Sequence, residues 1–289
     1  MFVKMTIGAL YLHICTNLES VYPKTEAGKI CEWLFENKAG ITRQQLLKKP
    51  GMQLDATVTN SINNSLAELM AHKPIQYITG EAWFYHLKLK VTPAVLIPRP
   101  ETEELAEMVI RQMPVNQELS LLDIGTGSGC IAIAVKKNSR NVNITAIDKS
   151  PEALAIAKEN AVNNQAAISF SKIDFLDENE WNFFPQFDII VSNPPYIPVN
   201  EMEKLEKHVT AYEPHTALFV TENRPLLFYE KIALFGQTHL KKGGRIFVET
   251  HEELAYECAA LFSNDHYKSA VVKDMSGNNR FVTATLRYP

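Results

Sequence analysis

The segment that decides the fold is Leu119–Cys130, "LSLLDIGTGSGC". Its first half is nearly all apolar, which is typical of a strand buried on both faces. Glycines follow at 125, 127 and 129, and glycine allows both a tight turn and a close approach of a ligand to the backbone. The next residues, "CIAIAVKK", have the pattern of a helix. Because a strand precedes the loop and a helix follows it, the order predicts a ligand-binding loop, formed by Gly125, Thr126, Gly127, Ser128 and Gly129.

The spacing of this loop narrows the kind of ligand. Cys130 stands where a dinucleotide-binding loop has its third glycine, and Asp123 stands two residues before the first one. The resulting pattern, D-x-G-x-G-x-G, resembles that of class I methyltransferases, which bind S-adenosylmethionine. A glycine-rich string alone is weak evidence, so its context of strand and helix carries the prediction.

Strands and helices alternate from residue 119 to the end of the chain. Apolar runs of strand length ("VNITAID", "ISFSKID", "FDIIVSN", "GGRIFVE") are separated by helical patterns such as "SPEALAIAKENAVNN" and the segment from about 224 to 240. Such alternation predicts an α/β fold with a doubly wound, mostly parallel sheet. No helix separates the last two strands, "HYKSAVVKD" and "RFVTATLRY", so one of them should run antiparallel at or beside an edge.

Two predicted strands end in side chains suited to the same ligand. Asp148 ends the second strand, where a carboxylate can accept hydrogen bonds from both ribose hydroxyls. The alternative is that Asp148 only complements the N-terminus of the helix that follows. Asp174 and Phe175 end the third strand and are expected to border the adenine, one as acceptor and one as apolar wall. For Asp174 the alternative is simple turn chemistry.

The part before the alternating region has a different pattern. Apolar residues recur at helical spacing through the first 80 residues, with Asp55 and Thr42 as N-cap residues and Gly40 as a C-cap. Residues 81–100 alternate as a strand does and then contain three prolines, which predicts a β-hairpin and linker. We therefore predict a small helical domain at 1–80, the hairpin at 81–100 and the large domain at 101–289.

The fourth strand ends in Asn193-Pro194-Pro195-Tyr196, at the sheet edge where doubly wound folds bind ligands. An amide or amino nitrogen is a poor nucleophile and must be held in line with the group that it attacks. The Asn193 side-chain oxygen and the Pro194 carbonyl can accept the two N–H bonds of a planar NH2 group. The prolines restrict the backbone, and the Tyr196 ring can stack on the planar group. The alternative is a proline-capped strand end with a core tyrosine.

Several segments together resemble one family. They are "KPIQYITGEAWFY", "VLIPRPETEEL", "DIGTGSGCIAIA", "AIDKSPEALAIAKENA", "FDIIVSNPPYIP" and "YEPHTAL". In this combination they are similar to the bacterial peptide-chain release factor glutamine methyltransferases, the PrmC/HemK family. The resemblance is strong from about residue 74 to 289, and for the helical region it rests on arrangement only.

The resemblance implies a Rossmann-like catalytic domain, joined by the hairpin to a helical domain that contacts the substrate protein. It implies methyl transfer from S-adenosylmethionine to the glutamine N5 atom in the Gly-Gly-Gln loop of class-1 release factors, with S-adenosylhomocysteine as product. The loop 125–129, Asp148, Phe175 and Asn193 become cofactor contacts. Residues 193–196 become the glutamine site, with Asn193, Pro194 and Tyr196 as the catalytic residues. This chain departs from the family pattern at His86, where a glycine is usual, and at Thr250–Glu253.

Arg99, in the "PRPETE" motif, has two interpretations. It contacts the cofactor or the substrate loop, or it pairs with the neighbouring Glu101, Glu103 and Glu104.

Composition limits the remaining possibilities. The chain has 289 residues and a formal net charge of −4, which argues against a surface that grips long nucleic acid. Four scattered cysteines, the absence of a leader peptide and the absence of a long apolar run predict a reduced, cytoplasmic protein that is not in a membrane. We expect a monomer that needs no metal ion and does not bind DNA directly. The rivals are an adenine-N6 type nucleic-acid methyltransferase and a non-catalytic binding module.

Overall fold

The computed structural model describes residues 5–114, 117–139, 141–220, 224–263 and 266–287, apart from the Lys204 side chain. The helices are α1 Ile7–Leu18, α2 Lys24–Ala39, α3 Arg43–Lys48, α4 Ala56–Met70, α5 Ile75–Thr79, α6 Pro100–Arg111, α7 Cys130–Asn138, α8 Pro151–Asn163, α9 Lys207–Tyr212, α10 His215–Leu218, α11 Leu227–His239 and α12 Ala255–Leu261. The strands are β1 Glu81–Phe84, β2 Leu87–Lys90, β3 Leu119–Ile124, β4 Val142–Asp148, β5 Ser169–Lys172, β6 Phe187–Ser192, β7 Ile197–Pro198, β8 Phe219–Val220, β9 Leu240–Glu249, β10 Tyr267–Lys273 and β11 Asn279–Leu286. Within the described ranges, no helix has the length and apolar character that crossing a bilayer requires.

The chain divides into two compact units, residues 1–81 with 206–212 and residues 82–205 with 213–289. The first unit is helical, and its core is formed by apolar residues of α1, α2 and α4. The expected caps are present, because the Asp55 side chain accepts the Thr57 N–H at 2.7 Å and Gly40 ends α2 with a φ of 65°. The Asp55 side chain thus pairs a backbone N–H group at the start of α4, and the left-handed Gly40 ends α2.

Helix α9 belongs to the first unit although it lies more than a hundred residues after it in sequence. The Tyr212 hydroxyl donates a hydrogen bond to the Ala71 carbonyl oxygen at 2.9 Å, just beyond the end of α4. Nothing in the sequence pattern predicts this grouping, because α9 is only six residues long and has no buried residue of its own.

The hairpin expected in residues 81–100 is formed by β1 and β2. Its turn consists of Tyr85 and His86, whose φ angles are 49° and 63°. Both lie in the left-handed region that favours glycine. His86 therefore keeps a turn geometry in which a side chain costs conformational energy.

A seven-stranded sheet forms the centre of the second unit, in the order β10-β11-β9-β6-β3-β4-β5. Strand β3 pairs in parallel with β4 and β6, and β9 and β5 extend the parallel part on either side. Strand β11 runs antiparallel to both β9 and β10. The predicted doubly wound sheet, with an antiparallel strand beside one edge, is confirmed.

Helices cover both faces of this sheet. One core contains the buried faces of α6 and α7 against β3 and β4, and the other contains those of α11 and α12 against β6 and β9. The central strands are thus buried on both faces, which explains their nearly continuous apolar sequences. Because β3, β4 and β6 are parallel, their carboxyl ends at Ile124, Asp148 and Ser192 lie along one edge of the sheet.

Candidate functional site

A cavity of about 310 Å³ lies at this edge, entirely within the second unit. Its lining contains residues from the ends of β3, β4 and β6 and from the start of α6. The predicted site residues in the lining are Gly125, Thr126, Gly127, Ser128, Asp148, Asp174, Phe175, Asn193 and Pro195. The structure thus brings together segments that are separated by up to 70 residues in sequence.

The glycine loop leaves an open face toward the cavity. Gly125 and Gly127 have φ angles of 71° and 55°, and a β-carbon added to either would meet nothing within 4 Å. At Gly129, with φ of 82°, an added β-carbon would come within 3.2 Å of the Ala157 β-carbon on α8. The first two glycines therefore leave room for a ligand, and the third allows the loop to pack against α8.

Asp148 lies at the end of β4 and joins the loop to the next helix. Its Oδ2 accepts the Gly127 N–H and its Oδ1 accepts the Ser150 N–H, both at 2.9 Å. A carboxylate has about four acceptor sites, so each oxygen keeps a lone pair for a further donor. The geometry fits a carboxylate that binds a pair of hydroxyl groups while it orders the glycine loop.

Asp123 lies under the same loop and is only 1% exposed. Its Oδ2 accepts the Thr126 hydroxyl at 2.7 Å, whereas its Oδ1 has no hydrogen-bond partner of normal geometry among the described residues. Burial raises the pKa of this carboxyl to about 7, and the nearby Asp148 charge adds to the shift. Asp123 therefore anchors the loop from below, at the energetic cost of a poorly solvated carboxyl group.

Phe175 forms an apolar wall of the cavity. Its ring stacks on Trp181 with centroids 5.3 Å apart, and Phe235 packs edge-on against both rings. The Trp181 indole N–H donates to the Phe175 carbonyl oxygen at 3.0 Å, which holds this segment in place. The neighbouring Asp174 is exposed. Its carboxylate accepts the Leu176 N–H at 3.1 Å, a bond that is typical of aspartate in a turn.

Asn193 and Pro195 line the cavity directly after β6. The Asn193 Nδ2 donates to the Thr102 hydroxyl at 3.0 Å. Pro194 is buried and Tyr196 is half-buried, and neither belongs to the lining formed by the described residues. The Tyr196 hydroxyl instead donates to the Glu249 carboxylate at 3.2 Å.

The partners of this segment were not predicted from the sequence. Thr102, in the "PRPETE" motif, donates from its hydroxyl to Glu249 Oε2 at 2.8 Å. Glu249 ends β9 and is 1% exposed. The only signal in the sequence was a threonine among glutamates and an acid at the end of an apolar strand, and neither pattern indicates the contact.

Arg99 lines the cavity and pairs with neither of its sequence neighbours at 103 and 104. Its guanidinium contacts the carboxylate of Glu213, which is 3% exposed and also accepts the Ile97 N–H at 3.2 Å. Glu103 accepts the Tyr85 N–H and Glu104 accepts the Met275 N–H. The ion pair therefore connects the motif at 99 with the "YEPH" motif, 114 residues later.

Taken together, these groups form a donor and acceptor set that fits S-adenosylmethionine. Two glycines open toward the cavity, a carboxylate stands at the strand end beside them, and an aromatic ring closes one wall. Adenosine requires an apolar slot and acceptors for its two ribose hydroxyls, and the Phe175 ring and the Asp148 carboxylate have the chemistry to meet these needs.

Known protein families match both parts of the chain. Residues 100–211 match the family model of the methyltransferase small domain, and residues 13–80 match that of the PrmC N-terminal domain. A solved methyltransferase from Pyrococcus furiosus shares the fold, with a TM-score of 0.52 and 18% identity, over 78% of this chain and 100% of that chain.

Three relatives with more similar sequences are all release factor glutamine methyltransferases. The release factor glutamine methyltransferase of Flavobacterium psychrophilum is 39% identical over 274 residues, 93% of this chain and 95% of the relative. That of Bacteroides thetaiotaomicron is 35% identical over 273 residues, 94% and 97% of the two chains. That of Streptococcus pneumoniae is 43% identical over 217 residues, 74% and 76% of the two chains. The motifs predicted the relationship that these matches confirm: the chain belongs to the release factor glutamine methyltransferase family.

Proposed function

We propose that this protein transfers a methyl group from S-adenosylmethionine to the side-chain nitrogen N5 of the glutamine in the Gly-Gly-Gln loop of class-1 release factors. The observation that carries the proposal is the position of Asn193, whose amide lies at the rim of the glycine-loop cavity with its nitrogen bonded to Thr102. Its oxygen is then available to a substrate that presents an NH2 group. The family relatives supply the identity of that substrate.

The cofactor residues act by binding and orientation. S-adenosylmethionine supplies a methyl group on a sulfonium and leaves as S-adenosylhomocysteine, and this chemistry needs no metal ion. Gly125 and Gly127 let the cofactor approach the loop backbone, and Asp148 accepts hydrogen bonds from the ribose. Phe175 and the exposed Asp174 border the adenine, which sets the depth of the cofactor in the cavity.

The 193–196 segment orients the acceptor. The Asn193 oxygen and the Pro194 carbonyl accept the two N–H bonds of the glutamine amide, so the nitrogen points toward the methyl group. Acceptors in these positions also stabilise the positive charge that develops on nitrogen during transfer. Pro195 and Tyr196 border the same glutamine. Orientation of this kind lowers the activation barrier, because the entropy cost of aligning the two reactants is met when the substrate binds.

The two compact units have separate tasks in this proposal. The helical domain, residues 1–80, binds the body of the release factor, the hairpin region 81–100 connects, and the domain 101–289 carries out the transfer. A core of its own in the first unit and the match of residues 13–80 to the PrmC N-terminal domain support this division. The proposed substrate places the reaction in the cytoplasm, where translation ends, and we expect the protein to act as a monomer.

One competition assay tests the proposal. Purified class-1 release factor and duplex DNA are offered together with methyl-labelled S-adenosylmethionine, and a release factor with the loop glutamine changed to asparagine serves as the matched control. We expect label only in the release factor with glutamine, and mass spectrometry should place it on N5. Label in the DNA would instead support the amino-methyltransferase alternative, and no transfer to either would refute the proposal.

A further inference from the structure

Asn193 is the first member of a chain of hydrogen bonds that runs into the protein interior. Its Nδ2 donates to Thr102 Oγ1 at 3.0 Å, and Thr102 Oγ1 donates to Glu249 Oε2 at 2.8 Å. The other oxygen of Glu249 accepts the Tyr196 hydroxyl at 3.2 Å. Thr102 and Glu249 are 3% and 1% exposed, so the bond between them is shielded from bulk water.

The number of protons in this chain sets its direction. An ionised carboxylate only accepts, so both hydroxyls that contact Glu249 must donate to it. The Thr102 hydroxyl has a single proton, which it donates to Glu249. It can then only accept from Asn193, and only the NH2 end of the Asn193 amide can donate.

We propose that Thr102 and Glu249 are positioning residues that hold the Asn193 amide with its oxygen toward the acceptor site and its nitrogen toward the interior. Only the identity of the substrate amide in this inference rests on the proposed function. The orientation of the Asn193 side chain follows from the hydrogen bonds and the ionised state of Glu249.

The orientation decides which substrates the site accepts. With the oxygen outward, Asn193 accepts an N–H from an NH2 group. A rotated amide would present its own NH2 group, and two donors would then face each other. Because the oxygen and nitrogen of an amide have nearly the same shape, sterics alone do not select between the two states. The buried carboxylate of Glu249 makes that selection through Thr102.

Glu249 also connects the two ends of the Asn-Pro-Pro-Tyr segment. It holds Asn193 through the Thr102 hydroxyl and binds the Tyr196 hydroxyl directly. The Tyr229 hydroxyl donates to the Glu249 carbonyl oxygen at 3.0 Å and so restrains the backbone of this strand end. One carboxylate therefore determines the position of both polar side chains of the segment.

The proposal has a pH signature. Burial raises the pKa of Glu249 to about 7, the Thr102 and Tyr196 hydroxyls and Arg280 oppose the shift, and Glu101 adds to it. A protonated Glu249 could donate to Thr102, which would then donate to Asn193 and favour the rotated amide. The turnover number, kcat, should therefore decrease as the pH falls below about 7. In Glu249→Gln this acid limb should be absent.

The kinetic test compares Thr102→Val with Thr102→Ser. Valine removes the hydroxyl at nearly constant shape, and serine keeps it. We expect kcat on release factor to fall about 10- to 100-fold in Thr102→Val, while KM and the dissociation constant of S-adenosylmethionine change less than about threefold. Thr102→Ser should stay within about threefold of the wild type. Equal kcat in all three proteins, or equal losses in both variants, would overturn the inference.

A second measurement needs no turnover and separates this inference from the proposed function. In protein labelled with 15N-asparagine, the side-chain NH2 signals of Asn193 are identified by their loss in Asn193→Ala. We expect the proton toward Thr102 to exchange with solvent at least tenfold more slowly than those of the exposed Asn163. In Thr102→Val the protection should disappear. Fast exchange of both protons in the wild-type protein refutes the orientation, whatever the substrate is and whether or not the variants fold.

Discussion

Asn160 on α8 donates a hydrogen bond from its side chain to the carbonyl oxygen of Ser128 in the glycine loop, at 2.9 Å. The same Nδ2 donates to the Lys90 carbonyl oxygen at 2.9 Å, and its Oδ1 accepts the Lys90 N–H at 2.6 Å. Asn160 is fully buried. One amide thus connects the end of the hairpin strand β2 to the glycine loop and satisfies three backbone groups.

Changing Asn160→Ala should therefore affect both stability and cofactor binding. Three buried backbone groups would lose their partner at a cost of about 1–3 kcal/mol each, so we expect the free energy of unfolding to fall by at least about 3 kcal/mol. Affinity for S-adenosylmethionine should also fall, because the loop loses a support. Urea denaturation and calorimetry measure the two effects. The matched control, Asn163→Ala, removes an exposed asparagine one turn further along α8 and should change stability by less than about 0.5 kcal/mol. A loss below about 1 kcal/mol in Asn160→Ala would contradict this role.

Asp148→Ala should weaken cofactor binding at least about tenfold. The substitution removes hydrogen bonds from a charged acceptor, which contribute about 1.5–3 kcal/mol each. It also frees the Gly127 N–H, so the loop loses order. Glu159→Ala serves as the control, since it removes an exposed acid from α8 that pairs with Lys90. Isothermal calorimetry with S-adenosylmethionine measures both proteins, and unchanged affinity in Asp148→Ala would remove the ribose assignment.

Asn193→Ala should lower kcat on release factor about 10²–10³-fold, because one preorganised electrostatic contact to the reacting group is lost. Cofactor affinity should change little. Asn193→Asp keeps an acceptor but loses the NH2 group that donates to Thr102, and it adds a charge near Glu249, so it should also be slow. Single-turnover methylation and cofactor binding are measured for each variant. Near-normal turnover in Asn193→Ala would exclude the role proposed for this residue.

The stability of the protein without cofactor should decrease as the pH rises from about 4 to about 7. Burial raises the pKa of Asp123 from 3.8, and that of Glu249 from 4.5, to about 7. At these two carboxyls the folded state therefore binds more protons than the unfolded chain in this range, and their contribution to stability must fall as those protons dissociate. For Asp123 this pKa shift corresponds to a loss of at most about 4 kcal/mol in the free energy of unfolding.

Asp123→Asn isolates this contribution, because asparagine has a similar shape and does not ionise. In urea denaturation, the stability of the variant relative to the wild type should increase as the pH rises from 5 to 8. The exposed Asp177→Asn is the control and should follow the wild-type pH dependence. A parallel pH dependence of Asp123→Asn and the wild type would show that the Asp123 carboxyl titrates normally.

His86→Gly should stabilise the second unit. His86 has a φ of 63°, and the left-handed region costs a residue with a β-carbon about 1–2 kcal/mol. Glycine relieves this cost but gains freedom in the unfolded chain, so we expect a net gain of about 0.5–1 kcal/mol. His86→Ala keeps the β-carbon and should show no such gain. Thermal unfolding compares the three proteins, and equal midpoints for glycine and alanine would mean that the turn is not strained.

The positions of the glycine loop and of Asp148 could be predicted from the sequence because their signals are local. Gly125, Gly127 and Asp148 lie directly after apolar strands, and parallel strands bring their carboxyl ends to one edge of a sheet. The order of strands and helices then predicted which loops share the cavity. The same logic placed Asn193 correctly at this edge, since β6 pairs with β3.

The supports of the site could not be predicted because they depend on side chains that meet only in the folded chain. Thr102 contacts Glu249 across 147 residues, and Arg99 contacts Glu213 across 114. In sequence, Arg99 has acidic neighbours close by that would satisfy it equally well. Burial favours Glu213, which is shielded from water, whereas Glu103 and Glu104 bind backbone N–H groups elsewhere.

Helix α9 has a consequence for dissecting the protein. The chain passes between its two compact units at 81/82, at 205/206 and at 212/213. A single cut near the hairpin therefore cannot release either unit whole. A catalytic fragment that begins at Ala82 would retain Lys207–Tyr212 without the Ala71 carbonyl that Tyr212 binds, and a fragment that ends at Glu81 would lack this helix. A clean separation needs both a new N-terminus and a short linker in place of 206–212.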